Sequence, residues 1–485
     1  MNVFGIANKT STSFPMLQKI YSACRMLNIH FITLHPPYAA LCKKIVVYTI
    51  IVIVSLYSCF YVWTNSEKSY STNPASRLST IESLVNRRTF AIDHSIGSDD
   101  SFLYKGKTYS TKPILLPTIG AIFYVMYQSI TGTTELEIRT INLFLAWVPH
   151  IIFLVFFFLL CRKVLQSQLA LVLTYIGGAV GNIMLLYATG NQRHTVAATI
   201  ITIALYLFLR IYEDKERTYS WWGLGFCLGL VPVIDPPYLA FSAVLSFISL
   251  YYSPRSFLLK AVPFALIPIA VNTFLLWLAF GKISVAPYNF AQSIETPQSL
   301  ISKLLNKYKS FNEPRYLYIF NITFGSYGIF ITTPLLLFGF LEGLNLIFTP
   351  KTAPHVFRLI AYISLAVFSI VFIFYVLYTA DYGGMAVSLR WLIPCIPFLL
   401  LLAGMWLERS LNIVAIITFI VCIYFGAYHN HSYKSAWSHA YFQGGDPLIY
   451  AARSKVEIIH NGFKKYSWPF LYRPFSRPKR GCCNN

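Results

Sequence analysis

The chain has 485 residues, of which 56% are hydrophobic and only 12% charged, and its formal charge is +21. Mean hydropathy is +0.56, and apolar runs of about 20 residues, the length that crosses a bilayer, recur along it. This points away from a soluble enzyme and predicts an all-α, polytopic membrane protein. The basic residues are scattered at span ends and in loops, where topology control and lipid headgroups account for them, so nucleic acid is not an expected partner. The nine cysteines show neither disulfide nor zinc spacing. No GxGxxG, Walker or HExxH pattern supports a nucleotide-sugar or metalloprotease site.

Residues 1–44 are mixed and weakly basic, without the apolar core of a signal peptide. Lys43-Lys44 then precede the first span, 45–63, which is expected to leave the cytoplasm. A polar stretch runs to residue 113. The next apolar segments are 114–130 and 140–160, the second ending at Arg162-Lys163. If that basic pair is cytoplasmic, parity leaves room for one crossing, so 114–130 is expected to be interfacial or re-entrant. Segment 169–187 goes out, and Gly190-Asn191-Gln192-Arg193-His194 turns the chain into 196–211. The pair 221–234 and 238–251 is broken at Asp235-Pro236-Pro237, because prolines remove amide donors and disfavour helix before them.

Span 257–280 leads to a second large polar region, 281–325. Spans 330–348, 359–378, 391–406 and 413–428 complete a count of about eleven. The expected organisation is a cytoplasmic segment 1–44, a transmembrane domain 45–428 with outer loops 65–113 and 281–325, and a basic tail 429–485. Parity leaves the tail outside despite its charge. Cys482-Cys483 lie two residues from its last position and are read as plain tail rather than a lipidation site. Asn321-Ile322-Thr323 matches a glycosylation acceptor pattern, a match that arises by chance more often than not.

The first outer loop is the longest polar, charge-bearing segment between two apolar spans in an otherwise mostly lipid-compatible chain. Carboxylates and cations held at a membrane face suit transfer from a lipid-phosphate donor. A carboxylate deprotonates the acceptor hydroxyl, and Lys or Arg stabilises the departing phosphate. The residues NPASRLSTIESLVNRRTFAID, followed by DDSFLYKGKTYSTKPILLP, resemble the first outer loop of the GT-C superfamily of polyprenyl-phosphate-dependent glycosyltransferases. The aminoarabinose-transferase and protein O-mannosyltransferase branches, and related bacterial membrane proteins of unknown acceptor, are among those it resembles. Arg77, Gly106, Tyr109, Lys112 and Pro113 match the spacing of those loops. The His194 turn, Asp235-Pro236, and YGG…SLRWLIPCIPFLLL from Tyr382 also resemble the family in outline.

The resemblance implies a helical outer loop, a polyprenyl-phosphate sugar donor whose chain lies in a groove between spans, contact with membrane lipid, and a bacterial inner membrane with the site facing outward. It implies Lys112, Arg77 and Arg390 as donor-phosphate ligands. One departure stands out: where the family has an acidic pair before Arg77, this chain has Asn73, Pro74, Ala75 and Ser76. The base is then expected to be Asp100, with Asp99 and Glu82 behind it. The metal question stays open, with Asp99-Asp100 as the pair that would help hold a divalent cation.

Each residue also has a plainer reading. Asp99-Asp100 suit helix capping, and Lys112 and Arg390 suit contact with lipid headgroups. Arg77 also suits a pairing with Glu82. His194 suits a loop end, and Asp235 a wet cap, although an ionisable group in an apolar region is a functional candidate by default. Tyr109 is a further polar site candidate through its place in the motif. Two rival functions remain: a transporter or flippase of a lipid-linked or anionic solute, favoured by the broken Asp235 pair, and a non-catalytic GT-C paralogue, favoured by the absent acidic pair.

Overall fold

The computed structural model describes residues 36–67, 72–93, 100–133, 137–283, 287, 315–325, 327–349, 354–379, 382–383, 386–433 and 436. Most of the segment 1–44, of loop 281–325 and of the tail 429–485 lies outside these residues, as does Asp99. The chain divides into two compact units, Met1–Ile53 and Val54–Asn485. The described part of the first is the beginning of helix α1, Pro36–Thr64.

The second unit continues with α2 (Thr72–Arg87), strands β1 (Ser101–Tyr104) and β2 (Lys107–Ser110), and α3 (Leu115–Thr131). Helix α4 (Ile138–Val164) is followed by α5 (Gln168–Ala179), the single turn α6 (Met184–Tyr187) and α7 (Arg193–Glu213). Then come α8 (Thr218–Ile234), α9 (Leu239–Tyr252) and α10 (Pro254–Phe280). The later described helices are α11 (Arg315–Thr323), α12 (Ile329–Thr332), α13 (Leu335–Phe348), α14 (His355–Tyr378), α15 (Arg390–Arg409) and α16 (Ile413–Ser432).

Among the described residues, seven helices (α1 from Lys44, α4, α7, α10, α14, α15 and α16) are long and apolar enough to cross a membrane. Helices α3, α5, α8 and α13 are apolar but shorter. The protein is an all-α integral membrane protein. Helix α15 is its core, 89% buried over its most apolar window, whereas α10 is 22% buried and presents its apolar surface outward. A helix apolar all round is stable in either setting, so sequence alone does not distinguish them.

Two predicted spans are interrupted. Segment 169–187 breaks at Val180–Ile183, where Asn182 Nδ2 donates to the carbonyls of Gly177 (2.8 Å) and Gly178 (2.7 Å). Asn430 of α16 donates to the carbonyls of Val180 and Asn182. Segment 330–348 breaks at Thr333-Pro334, and Thr333 Oγ1 accepts the Ile183 amide at 3.1 Å. Each break therefore finds partners for main-chain groups that have no water to turn to.

The helical expectation for the first outer loop holds for α2 but fails for the segment after it. Strands β1 and β2 form an antiparallel hairpin with Tyr104 opposite Lys107. Lys105 and Gly106 both have positive φ, 49° and 77°, which is the twist a two-residue hairpin turn requires.

Helices pack closely through small residues. A Cβ on Gly225 or Gly229 of α8 would overlap the carbonyl oxygens of Ala261 and Ala265 of α10. This small-xxx-small seam brings backbones together where burial from water supplies no drive. Gly225→Ala and Gly229→Ala are each expected to lower stability by about 1–3 kcal/mol. Thermal unfolding in detergent checks this, and an unmoved midpoint for both would mean that the seam is not tightly closed.

Candidate functional site

The hairpin is seated on the C-terminal end of α10. Tyr109 lies 4.8 Å from the Phe280 ring, Tyr104 meets it edge-on at 5.7 Å, and Phe102 stacks at 6.0 Å. Leu276 and Ile114 close the cluster. Each aromatic pair adds about 0.5–1.5 kcal/mol beyond burial, enough to hold a short hairpin in place. The base of the hairpin is tied to α2: Ser76 Oγ donates to the Asp100 carbonyl at 2.8 Å and lies 2.5 Å from Ser110 Oγ. Thr111 N also donates to the Asp100 carbonyl. The antiparallel register thus brings the residues flanking the hairpin together, and Lys112 Nζ pairs with Asp100 Oδ1 at 2.9 Å.

Lys112 is within electrostatic range of Arg193 and Arg77 as well as Asp100. Its side chain is only 14% exposed. Burial pushes its pKa down to about 8, opposed by Asp100 and reinforced by Arg193 and Arg77. Lys112 lies in the loop, outside the membrane-spanning helices.

Arg193 opens α7, and its Nε lies 3.4 Å from Asp235 Oδ1. His194 Nδ1 donates to Asp235 Oδ2. The Asp235 side chain is fully buried at the break between α8 and α9, a position tenable for a carboxylate only with such partners. Arg390, at the start of α15, is buried and within electrostatic range of both Asp235 and His194.

The turn before α7 completes the cluster. Arg77 is buried, and its Nη2 donates to the Asn191 carbonyl. Glu67, just beyond α1, is 8% exposed. Its amide donates to the Thr189 carbonyl at 3.0 Å, and Asn142 Nδ2 donates to its carbonyl. Its carboxylate occupies the space a Cβ on Gly190 would need. The Tyr187 hydroxyl is within electrostatic range of both Glu67 and Arg390.

An apolar groove of about 700 Å³ lies between α9 and α14, with Arg193, Thr111 and Pro113 also among its lining residues. Leu239, Ala243, Ile370 and Phe374 are among its walls. A second cavity, about 350 Å³, lies among Lys163, Glu213, Glu408 and Arg409. Its charges are partnered: Lys163 with Glu213, Arg409 with Glu342, and Glu408 with the amides of Gln166 and Ser167. It shares no lining residue with the groove.

Asp100, Lys112, Arg77, Arg390, His194 and Asp235, predicted separately from sequence, are thus linked through direct contacts and mutual fields. Glu82 is half-buried on α2. Tyr109 belongs to the aromatic seat of the hairpin. Asn321 of the glycosylation pattern is buried and donates to the Tyr382 hydroxyl at 3.0 Å, so it is not presented for modification. Sequence reading passed over Glu67 and Arg193. The available signals were the first carboxylate after a span and a cation adjoining His194. Among the described residues, no three His, Cys, Asp or Glu side chains group as metal ligands.

No family model matches the chain, and no curated protein does. Among solved structures, ArnT from Cupriavidus metallidurans bound to undecaprenyl phosphate aligns with a TM-score of 0.51 at 14% identity, over 76% of this chain and 62% of ArnT. The oligosaccharyltransferase AglB from Archaeoglobus fulgidus, in complex with an inhibitory peptide and a dolichol-phosphate, aligns with a TM-score of 0.46 at 15% identity, over 82% of this chain and 56% of AglB. The chain therefore spans less than two thirds of either protein's length. At such identities the likeness is one of fold alone, and over the aligned residues this chain shares the fold of ArnT.

Proposed function

We propose that the protein is a membrane glycosyltransferase that moves a sugar from a polyprenyl-phosphate donor to an acceptor hydroxyl at the outer membrane face. The observation that carries this reading is the cluster of Arg77, Lys112, Arg193 and Arg390, linked through mutual fields, in which Arg193 also lines an apolar groove. An anionic headgroup suits the cations, and a lipid tail suits the groove. The undecaprenyl phosphate bound to ArnT is a ligand of that chemistry. The bacterial inner membrane, with the site facing the periplasm, is the location that goes with it.

The transfer breaks the bond between the anomeric carbon and the phosphate oxygen, and the polyprenyl phosphate leaves with the electron pair. The acceptor oxygen forms the new bond to the anomeric carbon as its proton passes to a carboxylate. The cations stabilise the charge that collects on the leaving phosphate. Asp100 is engaged by Lys112, so the role it suits is to hold that ammonium in place. Glu67, buried beside the Gly190 turn, is the carboxylate proposed as base. It answers the absent acidic pair before Arg77, and with it the argument for a non-catalytic paralogue. Asp235, whose broken helix pair favoured a transporter, is partnered by Arg193 and His194 in the same cluster. In this reading Arg77, Arg193 and Arg390 join Lys112 in compensating the charge on the leaving phosphate, and the Asp99-Asp100 pair named for a divalent cation lies partly outside the described residues.

Sugar transfer from labelled polyprenyl-phosphate donors in proteoliposomes tests the roles. Glu67→Gln is expected to lower kcat by about 10²–10⁴-fold while donor binding persists. Asp100→Asn is expected chiefly to raise the donor KM. A collapse of kcat in Asp100→Asn with Glu67→Gln unaffected would return the base to Asp100.

The pH dependence comes from Lys112. It is cationic below about pH 8 and neutral above, and a phosphate favours the cation. Donor affinity is therefore expected to fall as pH rises through about 8, with proton uptake on binding in that range. Lys112→Arg, charged throughout, is expected to flatten the fall. A wild-type affinity unchanged to pH 10 would remove Lys112 from the phosphate site.

A further inference from the structure

Arg390 is fastened unusually firmly for a residue at the edge of a loop. Ser388, two positions earlier, has a φ of +62°, a left-handed conformation that a residue with a Cβ adopts only when its surroundings enforce it. The enforcement is visible on both sides of Arg390. The Tyr187 hydroxyl donates to the Val387 carbonyl at 2.6 Å, and the Tyr238 hydroxyl donates to the Trp391 carbonyl at 2.8 Å. Both tyrosines are fully buried. The Leu389 amide donates to the Tyr327 carbonyl, Thr332 Oγ1 donates to Ser388 Oγ, and the Trp391 ring stacks on Tyr375 at 4.6 Å.

The origin of the two hydroxyls matters more than their number. Tyr187 ends the turn that leads through Gly190 into Arg193 and His194. Tyr238 comes directly after Asp235-Pro236-Pro237. The two elements that carry the Arg193–His194–Asp235 cluster thus each send one hydroxyl to the backbone flanking Arg390. Neither bond uses the guanidinium itself.

We propose that Tyr187 and Tyr238 are positioning residues that set the Arg390 guanidinium relative to Arg193 and Asp235, and thereby the spacing of the cations that hold the donor phosphate. The inference rests on the reading of that cluster as a phosphate site. A cation displaced by a fraction of an ångström from an anion keeps its charge but loses directed hydrogen bonds, so the loss falls on headgroup recognition and not on the lipid tail.

The test compares binding of C55 polyprenyl phosphate with binding of the uncharged C55 polyprenol, by native mass spectrometry of the full-length protein. Wild type, Tyr187→Phe, Tyr238→Phe, the double Phe variant and Arg390→Ala are measured, and the Phe variants are also combined with Arg390→Ala. Phe keeps the buried ring and removes only the hydroxyl. The double Phe variant is expected to lose about tenfold in affinity for the phosphate with polyprenol binding unchanged. Its effect is expected to vanish in the Arg390→Ala background, as coupling through one group requires.

Two results would overturn the inference. One is unchanged phosphate affinity in the double Phe variant while Arg390→Ala weakens it. The other is an equal loss for phosphate and polyprenol, which marks general loosening of the bundle. If Arg390→Ala itself leaves phosphate affinity intact, the phosphate reading of Arg390 fails first and the positioning role falls with it.

Discussion

The burial of Asp235 constrains everything around it. A carboxylate removed from water within a bundle costs several kcal/mol unless opposite charges and hydrogen-bond donors meet it. Here Arg193 and His194 do so from the first turn of α7, and the carboxylate itself sits where α8 and α9 part. The ion pair therefore binds two span ends to each other and fixes the direction of Arg193. Removing one partner strands the other, which is typically worth about 3–5 kcal/mol. Arg193 also lines the groove, so the same constraint that closes the fold fixes a cation on that wall.

The interruptions in the helices obey a related logic. Irregular backbone within a membrane bundle persists only where other groups satisfy it. Asn182 and Asn430 serve the break after α5, and Thr333 ties that break to the one before α13. These breaks bring short polar turns close to the span ends. The turn Gly190–Gln192, which receives Arg77 and packs on Glu67, comes soon after the first of them. The polar site is thus a consequence of broken spans, and the breaks survive because buried amide and hydroxyl side chains stand in for water.

The class of the protein was legible from composition, because long apolar runs admit few other folds. The Asp235 break was legible too, since consecutive prolines act locally. The breaks at Val180–Ile183 and Thr333-Pro334 were not, because their stability comes from Asn430 and Ile183, distant in sequence. The hairpin was missed for a similar reason: it is four residues a side and depends on Phe280 as its seat. Only Lys105-Gly106 signalled it locally. Tyr109 showed the limit of motif spacing, which identifies a residue without revealing whether its ring or its hydroxyl is what the fold uses. Burial of its ring against Phe280, with Asp93 and Tyr104 nearby, raises the Tyr109 pKa, as expected of a ring held in an apolar seat.

The absent acidic pair before Arg77 illustrates how sequence distance misleads in a site built by convergence. Reading outward from Arg77 along the chain meets Asn73 to Ser76 first, then Glu67 upstream and Glu82, Asp93, Asp99 and Asp100 downstream, and their order does not say which carboxylate shares the Arg77 environment. The structure instead folds the end of α1 back against the turn before α7, so that Glu67 and Arg77 meet the same three-residue turn from either side. Separation along the chain is immaterial once both residues face Gly190–Asn191. Asp100, nearer the motif glycine, is drawn to Lys112 by the hairpin register and has its charge committed there. A carboxylate already engaged by an ammonium gains little by accepting a proton, and surrendering it would cost the site a held cation. The proposed chemistry therefore divides the work between a carboxylate that holds a cation, Asp100, and one proposed as base, Glu67. In this chain the two are separated by the whole of α2 in sequence and joined by Ser76 and Arg77 in space.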